Sequence, residues 1–337
     1  MSNPLPVAVI GCGRMGRLHA RVYSQMPRVK LAGIVDADPD AAAAVAEEFG
    51  GTAYSSPEAL PADLAAVTIA VPTQFHPDIA IPLLERGVAC LIEKPLASST
   101  VEAQRIVDAG KRAGALIQVG HIERFNPAVR AMGRLGISPR FMEVTRISPL
   151  TFRSIDVGVV LDMMIHDIDI ILQLANSTAV KIDAVGVSVI GQVEDICNAR
   201  ITFANGCVAN LTASRLAMKT ERKLRVFSVD AYVSIDYQKK YGILVRRTGN
   251  VDSIRDTVAR IKSGEIEDLS QVNFADLVNI EELQIDDIEP LRAELDSFID
   301  AVTAVAPPPV TGEDGLAAVD LAERIVAAVN QNPLGMV

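Results

Sequence analysis

The sequence predicts an α/β protein: a doubly wound parallel sheet, then an α+β domain with a largely antiparallel open sheet. Three observations lead there. Short apolar runs alternate with helix-like segments over the first 120 residues. A glycine turn joins the first run to the first helix. After about residue 121 strand-like runs follow one another with little helix between them. The expected domains are therefore 1–121 and 122–337.

The first runs are PVAVIG (6–11), KLAGIVD (30–36), AAVTIAVP (65–72), ACLIEKP (89–95) and LIQVG (116–120). Apolar runs without alternation suit strands covered on both faces. Helix-like segments at 14–26, 39–49, 75–86 and 99–113 separate them, the last with Ser99 or Thr100 as N-cap. The second half predicts a helix at about 124–135, a strand at 141–148 and a helix at about 158–175. Strands follow at 180–190, 196–204, 207–215, 222–229 and 231–237, with Asn-Gly in FANGC (203–207) suited to a tight hairpin. Residues 250–289 are acidic and weakly patterned; helices close the chain at 290–305 and 313–329.

The 337 residues suit two domains, and a 49% hydrophobic content supplies their cores. A net charge of −10 argues against a nucleic-acid binder, which needs a basic field. The cysteines, Cys12, Cys90, Cys197 and Cys207, form no CxxC pair and suggest neither a zinc knuckle nor a disulfide framework. The start, MSNPLPVAVIGCG, lacks the regions of a signal peptide, and no run of about 18 apolar residues suggests a membrane span. A soluble cytoplasmic protein is the expectation.

GCGRMG (11–16) sits in the strand–turn–helix context that gives such a motif meaning. Gly11 allows the tight turn, Gly13 the approach of a pyrophosphate, and Gly16 close helix–strand packing. The helix start offers free N–H groups to the anion, with Arg14 and Met15 in the same turn. Asp36, 20 residues after Gly16, can accept bonds from ribose hydroxyls and would repel a 2′-phosphate, so NAD is favoured over NADP.

Ligands of such sheets bind beyond the carboxyl ends of the strands. Pro72, Thr73 and His76 follow the strand at 65–72, and Glu93 and Lys94 follow the strand at 89–95. All five are candidates for contact with the cofactor, and Lys94 lies where a nicotinamide and a substrate would meet. His19 reads as packed within the first helix, and His121 as structural or part of a cleft wall.

VLDMMIHDIDIIL (160–172) puts Asp162, His166, Asp167 and Asp169 into an apolar segment. Metal ligation, acid–base chemistry and a solvated helix face compete as readings. On an α-helix Asp162, His166, Asp169 and Gln173 form one narrow stripe. A metal would need further ligands that the four histidines of the chain do not supply, so none is expected. An Asp162–His166 pair needs only itself: the carboxylate orients the imidazole, which takes a proton from an alcohol while hydride leaves the same carbon.

GCGRMGRLHA (11–20), AVPTQFH (70–76), EKP (93–95) and DMMIHD (162–167), in that order, resemble the glucose–fructose oxidoreductase / inositol dehydrogenase / MocA family. The resemblance runs nearly end to end, through the closing PVTGEDGLAAVDLAERIVAAV (309–329). It implies a Rossmann domain, then an α/β domain whose open sheet often supports oligomers, here a dimer or tetramer. It also implies NAD(P)-linked oxidation or reduction at a sugar or cyclitol carbon. By position Lys94 is the lysine of EKP, Asp162 the aspartate and His166 the histidine of the second motif. One departure stands out: many members have paired glycines before that aspartate, whereas VGVV (157–160) has only Gly158.

GHIERFNP (120–127) resembles the branch that acts on nucleotide-linked amino sugars, including UDP-N-acetylglucosamine 3-dehydrogenases. Arg124 could pair with a diphosphate, with Arg153 as a second cation. Glu123 and Asn126 could bond hydroxyl or acetamido groups, and Glu123 and Arg124 could instead satisfy a hinge network. The substrate set is thus Lys94, Glu123, Arg124, Asn126, Arg153, Asp162 and His166. The expected function is NAD-dependent oxidation of a nucleotide sugar. Inositol or free-sugar oxidation and a non-catalytic NAD-binding regulator are the alternatives.

Overall fold

The computed structural model describes residues 3–151, 156–190, 192–247, 251–265 and 278–331. The apolar runs of the first half become strands, and the segments between them helices. In order these are β1 (Leu5–Ile10), α1 (Arg14–Ser24), β2 (Val29–Val35), α2 (Pro39–Phe49), β3 (Thr52–Tyr54), β4 (Ala66–Ile69), α3 (His76–Glu85), β5 (Ala89–Glu93), α4 (Thr100–Ala113) and β6 (Ile117–Gly120). Local chemistry sets the helix ends. Asp38 caps α2 by accepting from the N–H groups of Asp40 and Ala41, with Pro39 in the first turn. Ser99 caps α4 through Glu102 N–H at 3.3 Å, and Gly114, at φ +64°, ends it.

The sheet order is β3-β2-β1-β4-β5-β6, and its pairings are parallel. The chain runs outward from β1 to β3, then crosses back to β4 on the other side of β1. That switch opens a crevice beyond the ends of β1 and β4. The short edge strand β3 was not expected. Its three residues, two of them exposed, carry no apolar run to announce it.

The second half contains α5 (Pro127–Gly133), β7 (Phe141–Ile147), a π-helical turn at Val160–Met164, α6 (Ile165–Ala175), β8 (Ala179–Val187), β9 (Ile196–Phe203), β10 (Val208–Ser214), β11 (Glu221–Phe227), β12 (Ala231–Asp236), β13 (Tyr241–Arg247), α7 (Val251–Lys262), β14 (Val278–Glu282), α8 (Pro290–Val302) and α9 (Gly312–Gln331). Its eight-stranded sheet has the order β14-β13-β12-β11-β7-β10-β9-β8. The pairings are antiparallel except β7 with β10. Asn205 and Gly206, at φ +83°, turn β9 into β10 as FANGC suggests. The elements β13, α7 and β14 were not expected.

The chain divides into two compact units, but not at 121/122. The first unit takes Met1–Asn126 together with Val160–Leu172 and Ile288–Gln331; the second takes Pro127–Val159 and Gln173–Asp287. Packing explains the difference. Leu291, Leu295, Phe298 and Ile299 form the buried stripe of α8 and share a core with Val7, Val9 and Leu91 of the parallel sheet. Each such burial contributes about 1.5–3 kcal/mol. Arg28 holds the same helix through Asp296, at 2.9 Å, and Asp300. On α9, Val319 shares the other core with Ile106 and Val107 of α4. Among the described residues no helix is long and apolar enough to cross a membrane.

Candidate active site

The glycine turn is built for close approach. Gly11 has φ +96°, and a Cβ there would lie 2.5 Å from the carbonyl oxygen of Ala70. A Cβ on Gly16 would lie 1.7 Å from the carbonyl oxygen of Gly11, so the turn and the first helix touch backbone to backbone. Gly13 differs: nothing lies within 4 Å of where its Cβ would be. It stands at the N-cap of α1 with no side-chain cap bond, so the first N–H groups of the helix face open space. Asp36 braces the turn. One carboxylate oxygen accepts from Cys12 N–H at 2.6 Å and the other from Asp38 N–H at 3.0 Å. Burial and the Asp36 carboxylate push the Cys12 thiol up to about 12, so it is no thiolate at neutral pH.

A cleft of about 400 Å³ opens at the switch point, lined by Gly11, Gly13, Asp36, Val71, Pro72 and Phe75 among others. Of the remaining cofactor candidates, Arg14 is exposed beside it and Thr73 is half-buried. The Met15 side chain is partly buried and packs against the core under α1. One candidate departs from expectation. His76 is fully buried: Nδ1 lies 3.1 Å from the Pro95 carbonyl and 3.2 Å from that of Leu96, and Nε2 lies 3.0 Å from that of Val71. Burial lowers its pKa despite those acceptors. His76 therefore ties the end of β4 to the turn after β5 instead of lining the cleft.

At the end of β5, Glu93 accepts from His19 Nε2 at 3.0 Å and from Lys94 N–H at 3.3 Å. His19 is buried as expected, on the α1 stripe with Gly16, Ala20 and Tyr23. Lys94 begins a cis peptide with Pro95. Its ammonium donates to the Asp162 carbonyl at 2.8 Å and lies 3.7 Å from the Asp162 carboxylate. The two side chains are 21% and 34% exposed, enough for a small group to reach both. Lys94 and Asp162, 68 residues apart, are thus brought together.

The narrow-stripe picture of 160–172 needs a correction. The turn at Val160–Met164 is π-helical, and regular α geometry starts only at Ile165. The i, i+4 argument that puts Asp162 over His166 therefore does not hold as stated. His166 is half-buried one residue into α6. Asp169 is fully buried and belongs to another network: it takes Arg124 Nε and Nη2 in a two-pronged pair, both at 2.7 Å. Arg124 also donates to the Pro309 carbonyl at 3.3 Å and lies 3.7 Å from Asp314 at the start of α9. Asn126 donates to Glu123 at 3.1 Å. The geometry of Arg124 is that of the packing alternative, not of a cation held ready for a diphosphate. Arg153 lies outside the described residues.

His121 follows β6 and is 1% exposed, with neither ring nitrogen partnered among the described residues. Burial lowers its pKa, as do the charges of Arg124 and Lys94. Its burial keeps it away from solvent and disfavours the charged form.

An uncapped helix start facing a strand-end carboxylate suits a dinucleotide, and a lysine–aspartate pair at the end of β5, two strands from β1, suits proton transfer. Such a combination describes a dehydrogenase. The comparisons agree: the model of the NAD-binding Rossmann-fold domain of the GFO/IDH/MocA oxidoreductases matches residues 5–121, and that of the family's C-terminal domain matches 145–233. The chain belongs to the GFO/IDH/MocA family and is an oxidoreductase acting on CH–OH groups. It is 34% identical to UDP-N-acetylglucosamine 3-dehydrogenase of Acidithiobacillus ferrooxidans over 89% of either chain. The solved structure of that enzyme superposes with a TM-score of 0.87 and 32% identity, covering 98% of this chain and 99% of that one. Inositol 2-dehydrogenase of Corynebacterium glutamicum is 34% identical over 54% of this chain and 58% of its own. GenD2 from gentamicin A biosynthesis, solved with NAD, is 25% identical with a TM-score of 0.77 over 98% of this chain and 95% of that one.

Proposed function

We propose that the chain oxidises the 3-hydroxyl of UDP-N-acetylglucosamine to a 3-keto sugar with NAD as acceptor. The observation that carries the chemistry is the Lys94–Asp162 pair at the end of β5, in the same parallel sheet as the dinucleotide turn. The similarity over nearly the whole length to a UDP-N-acetylglucosamine 3-dehydrogenase supports the substrate. The residues fit NAD: Gly13 leaves the approach open, and the Asp36 carboxylate lines the cleft. NAD, when bound, accepts the hydride from C3. The chain's own residues handle the proton of the 3-hydroxyl, which passes to the Lys94 side chain as the free amine or to His166. Asp162 holds the Lys94 side chain in place and stabilises the ammonium that the proton makes of it. Glu123 and Asn126 are the proposed polar contacts to the sugar, with Arg153 for the diphosphate. A homo-oligomer, dimer or tetramer, in the cytoplasm completes the reading, and sedimentation velocity checks its size.

The test is a panel of sugars and nucleotide sugars with NAD, scored by NADH absorbance. Turnover of UDP-N-acetylglucosamine, with inhibition by UDP alone, is expected. Turnover of inositol without inhibition by UDP would replace this reading with the inositol dehydrogenase one that the local 34% identity supports. NAD binding without turnover of any sugar would mark a non-catalytic regulator.

Asp36 gives a second prediction. Removing a charged hydrogen-bond acceptor for the ribose costs about 1.5–3 kcal/mol, so Asp36→Ala should raise the KM for NAD roughly 10–100-fold. The same variant should narrow the preference for NAD over NADP. An unchanged KM ratio for the two cofactors would refute the role given to this carboxylate.

A further inference from the structure

Three buried titratable side chains meet behind Lys94: His19 on α1, Glu93 at the end of β5 and Glu294 on α8. One ring nitrogen and one oxygen from each carboxyl all lie within 4.8 Å of one another. Glu93 is well supplied, with donors on both oxygens. Glu294 is 0% exposed, and neither of its carboxyl oxygens has a hydrogen-bond partner among the described residues.

The elements around Glu294 supply no cation to it. From α1, Tyr23 directs its hydroxyl to Thr68 of β4, at 2.9 Å. From β6, Gln118 donates to the Glu294 backbone carbonyl at 3.1 Å, not to the side chain. Beyond β6, His121 is a neutral ring. On α8 itself Arg292 is bonded to Asp296 at 2.7 Å. The His19 Nε2 and the Lys94 N–H are directed to Glu93. Two carboxylates this close, one without donors and both out of water, cannot both stay ionised.

We propose that Glu93 and Glu294 hold one proton between them. Glu294 carries it as a neutral acid, and Glu93 remains the anion held by His19 and by Lys94 N–H. The electrostatics agree. Burial and the Glu93 charge hold the Glu294 carboxyl well above the usual carboxylate range. Burial works against the Glu93 charge, but the His19 bond and the His19 and Lys94 charges outweigh it and hold Glu93 low. The two titrate as a pair.

The sign of the pH dependence follows. Above the usual carboxylate pKa the unfolded chain has lost the Glu294 proton while the folded chain keeps it. The stability that this group contributes is therefore full below the unfolded pKa. It falls as pH rises, until Glu294 ionises in the fold. The slope is about tenfold in the folded-to-unfolded ratio per pH unit.

Glu294→Gln keeps the shape and cannot ionise. Denaturant unfolding of both proteins between about pH 5 and 8 should show the variant gaining on wild type by about tenfold per pH unit. A gap that does not change with pH would overturn the shared proton. So would a stoichiometric divalent metal in purified wild type that is lost in the variant, since a cation would then stand in place of the proton. Should the variant fail to fold, infrared spectra of wild type with isotope-labelled glutamate carboxyls decide. A protonated-acid band that persists at neutral pH supports the proposal, and its absence overturns it. A neutral Glu294 and its amide present the same charge to Lys94, so the acid limb of kcat/KM for oxidation should stay in place in Glu294→Gln; a limb moved to lower pH would show an ionised Glu294 and overturn the proton. This arm rests on the reading of Lys94 as proton acceptor, and the stability slope does not, so the two can fail separately.

Discussion

Lys94→Ala is expected to lower kcat about 10²–10⁴-fold, the usual worth of a positioned proton-transfer group, while NAD still binds. The lysine stands at the end of β5 with its ammonium on the Asp162 carbonyl at 2.8 Å. Its methylenes contribute little to either core, so the fold should survive. Steady-state kinetics and NAD titration by fluorescence measure the two effects separately. A loss confined to KM would make Lys94 a binding group and pass the proton chemistry to His166. The corresponding His166→Ala loss, compared at several pH values, then tells which group acts as the base.

The largest effect on stability is expected at Asp169. Its carboxylate takes both prongs of Arg124, with the two side chains 1% and 6% exposed. Breaking a buried pair by removing one partner leaves a charge in a dry site and costs about 3–5 kcal/mol. Asp169→Ala should show that loss in chemical denaturation. Arg124→Met with Asp169→Leu should recover most of it, because neither member then leaves a charge behind. If Asp169→Ala costs under about 1 kcal/mol, Arg124 has reached water. It would then be restored as a candidate for the substrate diphosphate.

Much of this was legible in the sequence. The strand–helix alternation over the first 120 residues produced the parallel sheet, because uninterrupted apolar runs are stable only where both faces are covered. Gly11, Gly13, Gly16 and Asp36 could be named because a turn that lets backbone approach a phosphate tolerates few residue types. Where reading failed, the cause was local to each residue. His76 looked like a cleft residue since it follows a strand end, yet its ring is spent on three carbonyl groups. The 160–172 stripe assumed 3.6 residues per turn where a π turn intervenes. The Glu294 side chain is one polar residue on an amphipathic helix, and no pattern in the sequence says that it is buried. The partner of His19 had a fainter signal: His19 falls at helical spacing with Gly16, Ala20 and Tyr23, which forecasts burial but not Glu93.

By itself the sequence determined five of the six strands of the parallel sheet, the dinucleotide turn and the strand-end lysine. Each depends on interactions among residues a few positions apart, where periodicity and turn chemistry apply. The tertiary structure alone decided the pairings: Lys94 with Asp162 across 68 positions, Arg124 with Asp169 across 45, and α8 against a sheet formed nearly 200 residues earlier. It also decided which charges were left without water, since burial is a property of packed elements and not of any one segment. That physical reason is why Glu294 lies beside Glu93 and why one proton is needed there.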